Sequence, residues 1–424
     1  MKRDEIEVVV VGAARTPIGR HGGYYNHLSA EDIGVLAVRE AIARSKIDLA
    51  SVKIDQVIAG MIYIESRCQN IYLPRNVATR VARLLGDQDN LAQSPGKTSV
   101  RICGTGFQVV ADAYDLITAV DQNKMDCIVS FGTESMSQTN LINHGRRKPD
   151  SVWEFMGAPT TDFLLEGFNH YLFDTAMPKT ADKYGKQLGI TRQDCDEFAH
   201  LSHTRARNAE MNQWNRFSPP ADSGYLKGCF EVETVDQRGD AVSCWRDEGP
   251  RHDIDLGELA ALRPLVSADG LVTPGNASQI SDGAASVVLM DRKAADKNKL
   301  AYVAKVRGYY FATVDPTIMG QGPVPAVKGL LDKLGLKLAD IDLFEVNEAF
   351  APQYLAVEKE LGLPRDSTNV NGGAIAIGHN IAATGLRLTI DLIYELRRRG
   401  QRIGIAAACI GGGQGGAVCV EIPD

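Results

Sequence analysis

The chain has 424 residues, 44% hydrophobic and 23% charged, with a formal net charge of −7. This is ordinary globular usage, which excludes disordered and collagen-like classes and gives no general electrostatic support to a nucleic-acid partner. Eight scattered cysteines (Cys68, Cys103, Cys127, Cys195, Cys229, Cys244, Cys409 and Cys419) lack paired CxxC ligand spacing. That argues against a zinc module, predicts no metal site, and reads as reduced intracellular thiols.

Taken in chain order, Met1 to Glu7 leads only into a short apolar strand, Val8 to Val11. Neither a signal peptide nor a membrane span is read there, nor a lipidation or peroxisomal signal at Glu421 to Asp424, so the expected location is cytoplasmic. Ala37 onward reads as a helix, then a loop around Ile47 to Ser51, then a strand at Ile54 to Ile58. Next comes Ser99-Val-Arg-Ile-Cys-Gly-Thr-Gly-Phe-Gln108, an apolar run that breaks into glycines before a helical pattern. It sets Cys103 at a helix start, where unpaired N–H groups and partial positive charge favour a thiolate and any oxyanion beside it. As a lone motif it also fits a small buried packing residue.

Residues 137–267 change in texture, with Arg146-Arg-Lys148, an aromatic-rich stretch from Trp153 to Phe173, the Asn212 to Pro220 segment, and a helix from Thr191 to Met211 with Thr191 as its cap. This stretch reads as an inserted domain of the kind that contacts substrate. Three clusters follow. Phe344-Glu-Val-Asn-Glu-Ala-Phe-Ala351 places Asn347 at a strand end, where an amide can position a water without titrating. Asn371 to His379 is glycine-rich and precedes a helix from about Ala382. His379 at that helix start is expected to be neutral. Ala406 to Gly416 is a buried strand ending in Cys409 and then glycines that admit close backbone approach.

An internal repeat organises these parts. Ala37-Val38 falls on Ala326-Val327 and Val57 on Val346 at a constant spacing of 289, and Gly104-Thr-Gly106 falls on Ala383-Thr-Gly385 at a spacing of 279, continuing from Cys127–Gly132 onto Ala406–Gly411. Two helix-to-strand units in the same order predict one duplicated βα half with buried strands. Cys103, Asn347, His379 and Cys409 then all lie at strand ends or in turns before helices.

On these motifs the chain resembles the thiolase family. The resemblance runs through Ala14-Arg-Thr-Pro-Ile-Gly19, Cys103-Gly-Thr-Gly, Gly132-Thr-Glu-Ser-Met-Ser137, Thr273-Pro-Gly-Asn-Ala-Ser278, Asp282-Gly-Ala-Ala285, Met319 to Pro325, Asn347-Glu-Ala-Phe, Gly378-His379 and Cys409 to Gly415. It implies an α/β fold with a five-layered αβαβα core. The first half would span 1–136, completed by about 268–297; a coenzyme A-binding loop domain would span 137–267, and the second half 298–424. It also implies a homodimer or homotetramer, with coenzyme A and acyl-CoA as substrates and no bound cofactor.

For the site, the resemblance implies Cys103 as acyl nucleophile, His379 as its base and an oxyanion donor, Cys409 as general acid/base, and Asn347 holding an oxyanion-hole water. The backbone N–H groups of Cys103 and Gly411 would form the second oxyanion hole. Ser278 and Ala277 would line the pantetheine tunnel, Arg251 would approach the nucleotide, and Met177 and Phe350 would border the thioester. The implied reaction is reversible cleavage of 3-oxoacyl-CoA, as in fatty acid metabolism. Two other readings stay open: a decarboxylating ketoacyl-synthase-type enzyme, and a non-catalytic acyl-CoA or lipid carrier. Three departures bear on the site. Asn380 stands where proline is usual and Ala382 where glycine is common, so the His379 turn is expected to be set differently; Pro274 stands where alanine is usual.

Overall fold

The computed structural model describes residues 5–63, 65, 71–147, 153–154, 158–213, 228–235 and 239–423. Met1 to Asp4, Cys68, Lys148 and most of the Asn212 to Pro220 segment lie outside the described residues. The first half supplies β1 (Val8–Arg15), α1 (Ala30–Ser45), β2 (Gln56–Gly60), α2 (Leu73–Leu85), α3 (Thr105–Ile117) and β3 (Cys127–Ser135). The chain then passes through short ribbons and helices, including α4 (Met177–Gln187) and α5 (Arg192–Gln213), and returns as β4 (Ser281–Asp291). The second half supplies β5 (Ala304–Thr313), α6 (Pro323–Leu334), β6 (Leu343–Val346), α7 (Ala351–Leu361), α8 (Ile381–Arg399), β7 (Ile403–Ile410) and β8 (Gln414–Glu421).

The main strands hydrogen-bond in the order β6-β7-β8-β5-β1-β4-β3-β2, with the short strand Gly96–Thr98 outside β2. Read outward from the β5–β1 junction, the two sides are the same: two antiparallel pairings, then one parallel pairing. The junction itself is short, pairing Val8–Val10 with Ala304–Val306. This is the duplication read from the sequence, with one refinement. Gln56 pairs with Ile128 in one half and Val346 with Ala407 in the other. Because Ile128 and Ala407 are 279 apart, the equivalent of Val346 is Gln56, a spacing of 290 rather than 289. The second half therefore has one more residue between the matched helix and its strand.

Alternate residues of each strand feed different cores, which is why the strands are apolar almost throughout. Val8, Val10, Ile128, Leu289, Ala406 and Val418 face an inner core shared with Phe107 of α3 and Leu386 and Ile390 of α8. Val9, Val129 and Phe131 turn the other way, toward α1 and α2. In the second half Phe344, Val346, Ile405 and Ala407 turn toward α6 and α7. The result is five layers, with α3 and α8 sandwiched between two sheet halves.

Those inner helices approach at backbone distance. A Cβ on Gly106 would come within 2.5 Å of the Leu386 nitrogen, and one on Gly385 within 2.5 Å of the Phe107 nitrogen. The expected cap of α5 is present as a reciprocal pair: the Asp194 N–H donates to Thr191 Oγ1 (3.2 Å) and the Thr191 N–H to Asp194 Oδ2 (2.8 Å). Among the described residues no helix is long and apolar enough to cross a membrane.

Gly385→Ala should destabilise the protein by roughly 3 kcal/mol or more, because the clash is with backbone that cannot rotate away. Gly86→Ala, at a left-handed helix end with nothing within 4 Å, should cost only about 1 kcal/mol. Chemical denaturation midpoints compare the two; equal shifts would contradict the close helix contact.

Candidate active site

The segment entering α3 forms a tight elbow. Ile102–Gly104 is a single 3-10 turn, and Ile102 sits at φ 45°, a left-handed conformation unfavourable for a β-branched residue. Two hydrogen bonds hold it: the Arg101 N–H donates to Thr105 Oγ1 at 2.8 Å, and the Gly104 N–H to the Arg101 carbonyl at 2.9 Å. The elbow presents Cys103 against an apolar wall of Tyr63, Met136, Leu164 and Ile381. The backbone N–H groups of Gly411 and of Cys103 itself act on its thiol in the direction of the thiolate.

The helix start does not make Cys103 a resting thiolate. Burial outweighs the two N–H donors and pushes the thiol up to about 11. The other described cysteines are pushed higher still: Cys229, Cys244 and Cys419 to about 12, with Cys127, Cys195 and Cys409 above that. Cys103 is also the one described cysteine that is not fully buried.

Cys409 lies one residue before the end of β7, enclosed by Val272, Met319, Ala349 and Phe350, with Met177 and Ala277 at the margin. After burial, the largest influence raising its thiol is Cys103, which places the two sulfurs within electrostatic reach. The glycines after it form the tight β7–β8 hairpin turn, with Gly412 and Gly413 at φ 81° and 79°. The turn is thus both a hairpin and a wall of the site. A Cβ on Gly411 would lie 3.4 Å from Ile102 Cδ1 and 3.7 Å from Met177 Sδ.

His379 enters from the turn before α8. Its N–H donates to the Gln279 carbonyl at 3.0 Å, and its Nδ1 lies 2.7 Å from Thr384 Oγ1. The Thr384 hydroxyl donates to the Asn380 carbonyl (3.2 Å), so its oxygen accepts from Nδ1–H and the hydrogen-bond network assigns the proton to Nδ1. Nε2 is left as an acceptor, 3.4 Å from Asn347 Nδ2. Burial, reinforced by the Arg387 cation, lowers the imidazole to about 3, so the ring is neutral as expected. Asn347 follows β6, its N–H bonded to the Ala407 carbonyl at 2.9 Å, and its Oδ1 is buried without a hydrogen-bond partner.

The backbone at Asn380 is compatible with the proline usual there. Asn380 has φ −73°, inside the range a proline ring would impose. Ala382 donates its N–H to Glu134 Oε2 at 3.3 Å. Pro274 is exposed.

Of the other residues singled out, Ala277 forms a β-bridge with Phe350 and the Ser278 N–H donates to the Ala349 carbonyl at 2.9 Å, so both stand beside the Asn347 loop. Met177 borders Cys409 and the Gly411 turn. Arg251 is not drawn into this cluster: its side chain is exposed, and its backbone N–H donates to His203 Nδ1 at 3.1 Å. Sequence reading missed Thr384, Gln279 and Glu348. Gln279 Nε2 reaches the carbonyls of Gly249 (3.1 Å), Ile375 (3.1 Å) and Ala376 (2.9 Å). Buried Glu348 accepts from Ser202 Oγ (2.6 Å) and Asn369 Nδ2 (2.9 Å), bracing the loops on either side of Asn347 and His379. Only Thr384, a hydroxyl in the first turn after His379, had a local signal.

The family models agree with this architecture. The thiolase N-terminal domain matches residues 8–293 and the thiolase C-terminal domain residues 300–422. A 3-ketoacyl-CoA thiolase, mitochondrial, of Bos taurus is 38% identical over 414 residues, 98% of each chain. An acetyl-CoA acetyltransferase of Allochromatium vinosum is 37% identical over 419 residues, again 98% of each. The crystal structure of human mitochondrial 3-ketoacyl-CoA thiolase superposes with a TM-score of 0.88 at 36% identity, covering 99% of both chains. The structure of that human enzyme in complex with CoA superposes with a TM-score of 0.85 at 36% identity, covering 99% of this chain and 98% of that one. With two sheet halves, two converging thiols and a neutral histidine on a glycine turn, the chain belongs to the thiolase family.

Proposed function

We propose that the protein is an acyltransferase that reversibly cleaves 3-oxoacyl-CoA to acetyl-CoA and a shortened acyl-CoA through an acyl-cysteine. The observation that carries this reading is the packing of the Cys103 elbow on the turn after Cys409, where a Cβ on Gly411 would lie 3.4 Å from Ile102 Cδ1, with the two thiols in electrostatic reach. In thiolysis, the Cys103 proton passes to His379 Nε2 as sulfur attacks the 3-keto carbon. Collapse of the tetrahedral alkoxide breaks the C2–C3 bond, leaving the acyl group on Cys103. The acetyl-CoA enolate takes a proton from Cys409. Coenzyme A then loses its proton to the Cys409 thiolate and attacks the acyl carbon, and Cys103 leaves, recovering its proton from His379. The condensation direction reverses each step.

The resting protonation states support this order. Burial leaves both groups neutral at rest, the thiol protonated and Nε2 without a proton, so the proton moves to Nε2 only as sulfur bonds to carbon. Once protonated, Nε2–H faces the enolate oxygen together with a water held by Asn347. The N–H groups of Cys103 and Gly411 face the acyl tetrahedral oxygen; one such donor is typically worth about 3–4 kcal/mol. Cys409 serves thiolysis as acid and base, where a decarboxylating synthase would pair its cysteine with histidine.

Ala277, Ser278, Met177 and Phe350 border the coenzyme path, supported by their place beside Cys409 and the Asn347 loop. Arg251 remains a proposed nucleotide contact. The division into halves 1–136 with 268–297 and 298–424, around an inserted 137–267, is supported by the pairing of β4 with β1 and β3. A homodimer or homotetramer fits the exposed Ile71, Tyr72 and Val100 near the edge strand Gly96–Thr98. A cytoplasmic location fits the free cysteines, although the bovine relative's name places that protein in mitochondria.

CoA-dependent cleavage of a 3-oxoacyl-CoA series from acetoacetyl-CoA upward tests the activity; no cleavage of any member would sink it. Cys103→Ala should lower kcat about 10⁴-fold or more. Cys409→Ala should still become acylated by acyl-CoA yet fail to condense, and a variant that condenses normally would remove Cys409 from the mechanism. Iodoacetamide should alkylate Cys103 first, with acyl-CoA slowing it; peptide mapping that finds another cysteine ahead of it would contradict the assignment. Because folding lowers His379 from 6.5 to about 3, the unfolded chain binds the extra proton between those values and stability falls as pH falls. Relative to His379→Asn, the wild type should lose about 1.4 kcal/mol per pH unit across pH ~6 to ~4, and a flat difference would show that the histidine is not held neutral.

A further inference from the structure

A closed chain of contacts links the nucleophile elbow to the hairpin turn of the opposite half. Arg101, two residues before Cys103, donates from Nη1 to Gln414 Oε1 at 2.8 Å. Gln414, three residues after Gly411, donates from Nε2 to the Gly411 carbonyl at 3.4 Å. Gly411 in turn packs on Ile102, between Arg101 and Cys103, where a Cβ would lie 3.4 Å from Ile102 Cδ1, and its N–H lies where it lowers the Cys103 thiol.

Both residues are held from outside as well, Arg101 by its side chain and Gln414 by its backbone. Arg101 Nε donates to Gln108 Oε1 on α3 at 2.5 Å, and its guanidinium lies over the Phe311 ring, 4.1 Å from the centroid. The Gln414 backbone is pressed against Gly322, where a Cβ would come within 2.1 Å of the Gln414 carbonyl. Two features need such a clamp. Ile102 is held at φ 45° between Arg101 and Cys103, a conformation that persists only when its surroundings over-determine it. The turn beyond Gly411 contains two glycines at positive φ, so its own residues restrain it weakly.

We propose that Arg101 and Gln414 are positioning residues: their side chains lock the Gly411 backbone N–H onto Cys103 and so fix the oxyanion hole across the boundary between the two halves. Neither touches the reacting atoms. The clamp rests on the assignment of Cys103 and Gly411 made above and extends it to two side chains given no role there.

The full chain, Arg101→Gln, Gln414→Met and Arg101→Lys are compared by two measurements. One is thiolysis of acetoacetyl-CoA; the other is the rate of Cys103 alkylation by iodoacetamide across pH, read by peptide mass. Arg101→Gln and Gln414→Met should lower kcat about tenfold with KM within about twofold, since a donor is displaced rather than deleted. The alkylation profile should move up by about one pH unit, because the thiolate loses an N–H partner. Arg101→Lys should recover part of both. If Gln414→Met fails to fold, Arg101→Gln, whose side chain is only half-buried, decides the matter. A folded variant with wild-type kcat and alkylation profile, beside an active wild type, overturns the clamp alone. A wild type that neither cleaves the substrate nor alkylates first at Cys103 overturns the reading beneath it.

Discussion

The backbone contact of α3 with α8 sets the geometry of the site. A glycine from each helix faces the other across a gap too narrow for a methyl group, so helices that enter from different halves have a single depth of approach. Each starts within two residues of a chemical group: Cys103 precedes α3, and His379 with Asn380 precedes α8. Moving the helices apart by one methyl diameter would shift Cys103 relative to His379, its proposed base. Displacements of about 1 Å are costly in sites that depend on near-attack geometry. The packing of two glycines is therefore also a statement about catalysis.

Duplication built the frame but not a duplicated site. By the spacing of 279, Cys103 corresponds to Ala382, Cys409 to Ser130 and His379 to Val100, and by the spacing of 290 Asn347 corresponds to Val57. Each chemical group thus has an inert counterpart. In the proposed mechanism one half gives the nucleophile and the other the acid, the base and the amide. The groups meet because both sheet halves point strand ends toward the same helix layer, and convergence across a pseudo-symmetric boundary needs ties between unlike partners. The Arg101–Gln414 contact and the Cys103–Gly411 contact are such ties.

What was legible in the sequence was local. Cys103, Asn347, His379 and Cys409 stand beside glycines or at strand ends, and glycine marks a backbone demand that neighbouring residues reveal. The repeat, read from helix and strand patterning, carried the duplicated βα halves, and the resemblance of the motifs carried the five-layered fold class. The thiol's resting state was not legible, because it is a balance between helix-start N–H donors, which the motif shows, and burial by Tyr63, Met136 and Leu164, which only packing shows. Gln279 and Glu348 were missed for the same reason: their partners lie tens to hundreds of residues away, and a buried Gln or Glu looks like any polar residue in a string. Arg251, read for the nucleotide end rather than for the thiols, is exposed, with its backbone N–H bonded to His203 on α5.

Asn380 shows how a substitution at a motif position can keep a φ that proline would impose. Proline would fix φ by covalent geometry; here the same φ is reached by bonds from outside the residue. The His379 N–H is bonded to Gln279, the Asn380 carbonyl accepts from Ala383 N at 2.9 Å, Thr384 N at 3.1 Å and Thr384 Oγ1 at 3.2 Å, and Gly378 leaves no room for a side chain beside Ser281. These constraints converge on one backbone path, so the ring's restriction is redundant in the folded state. Its remaining effect lies in the unfolded chain, where asparagine has more conformations to lose, a difference of about 0.4–1 kcal/mol. The cost of the departure thus falls on stability, while the position of the imidazole, set by Gln279 and Thr384, is left intact.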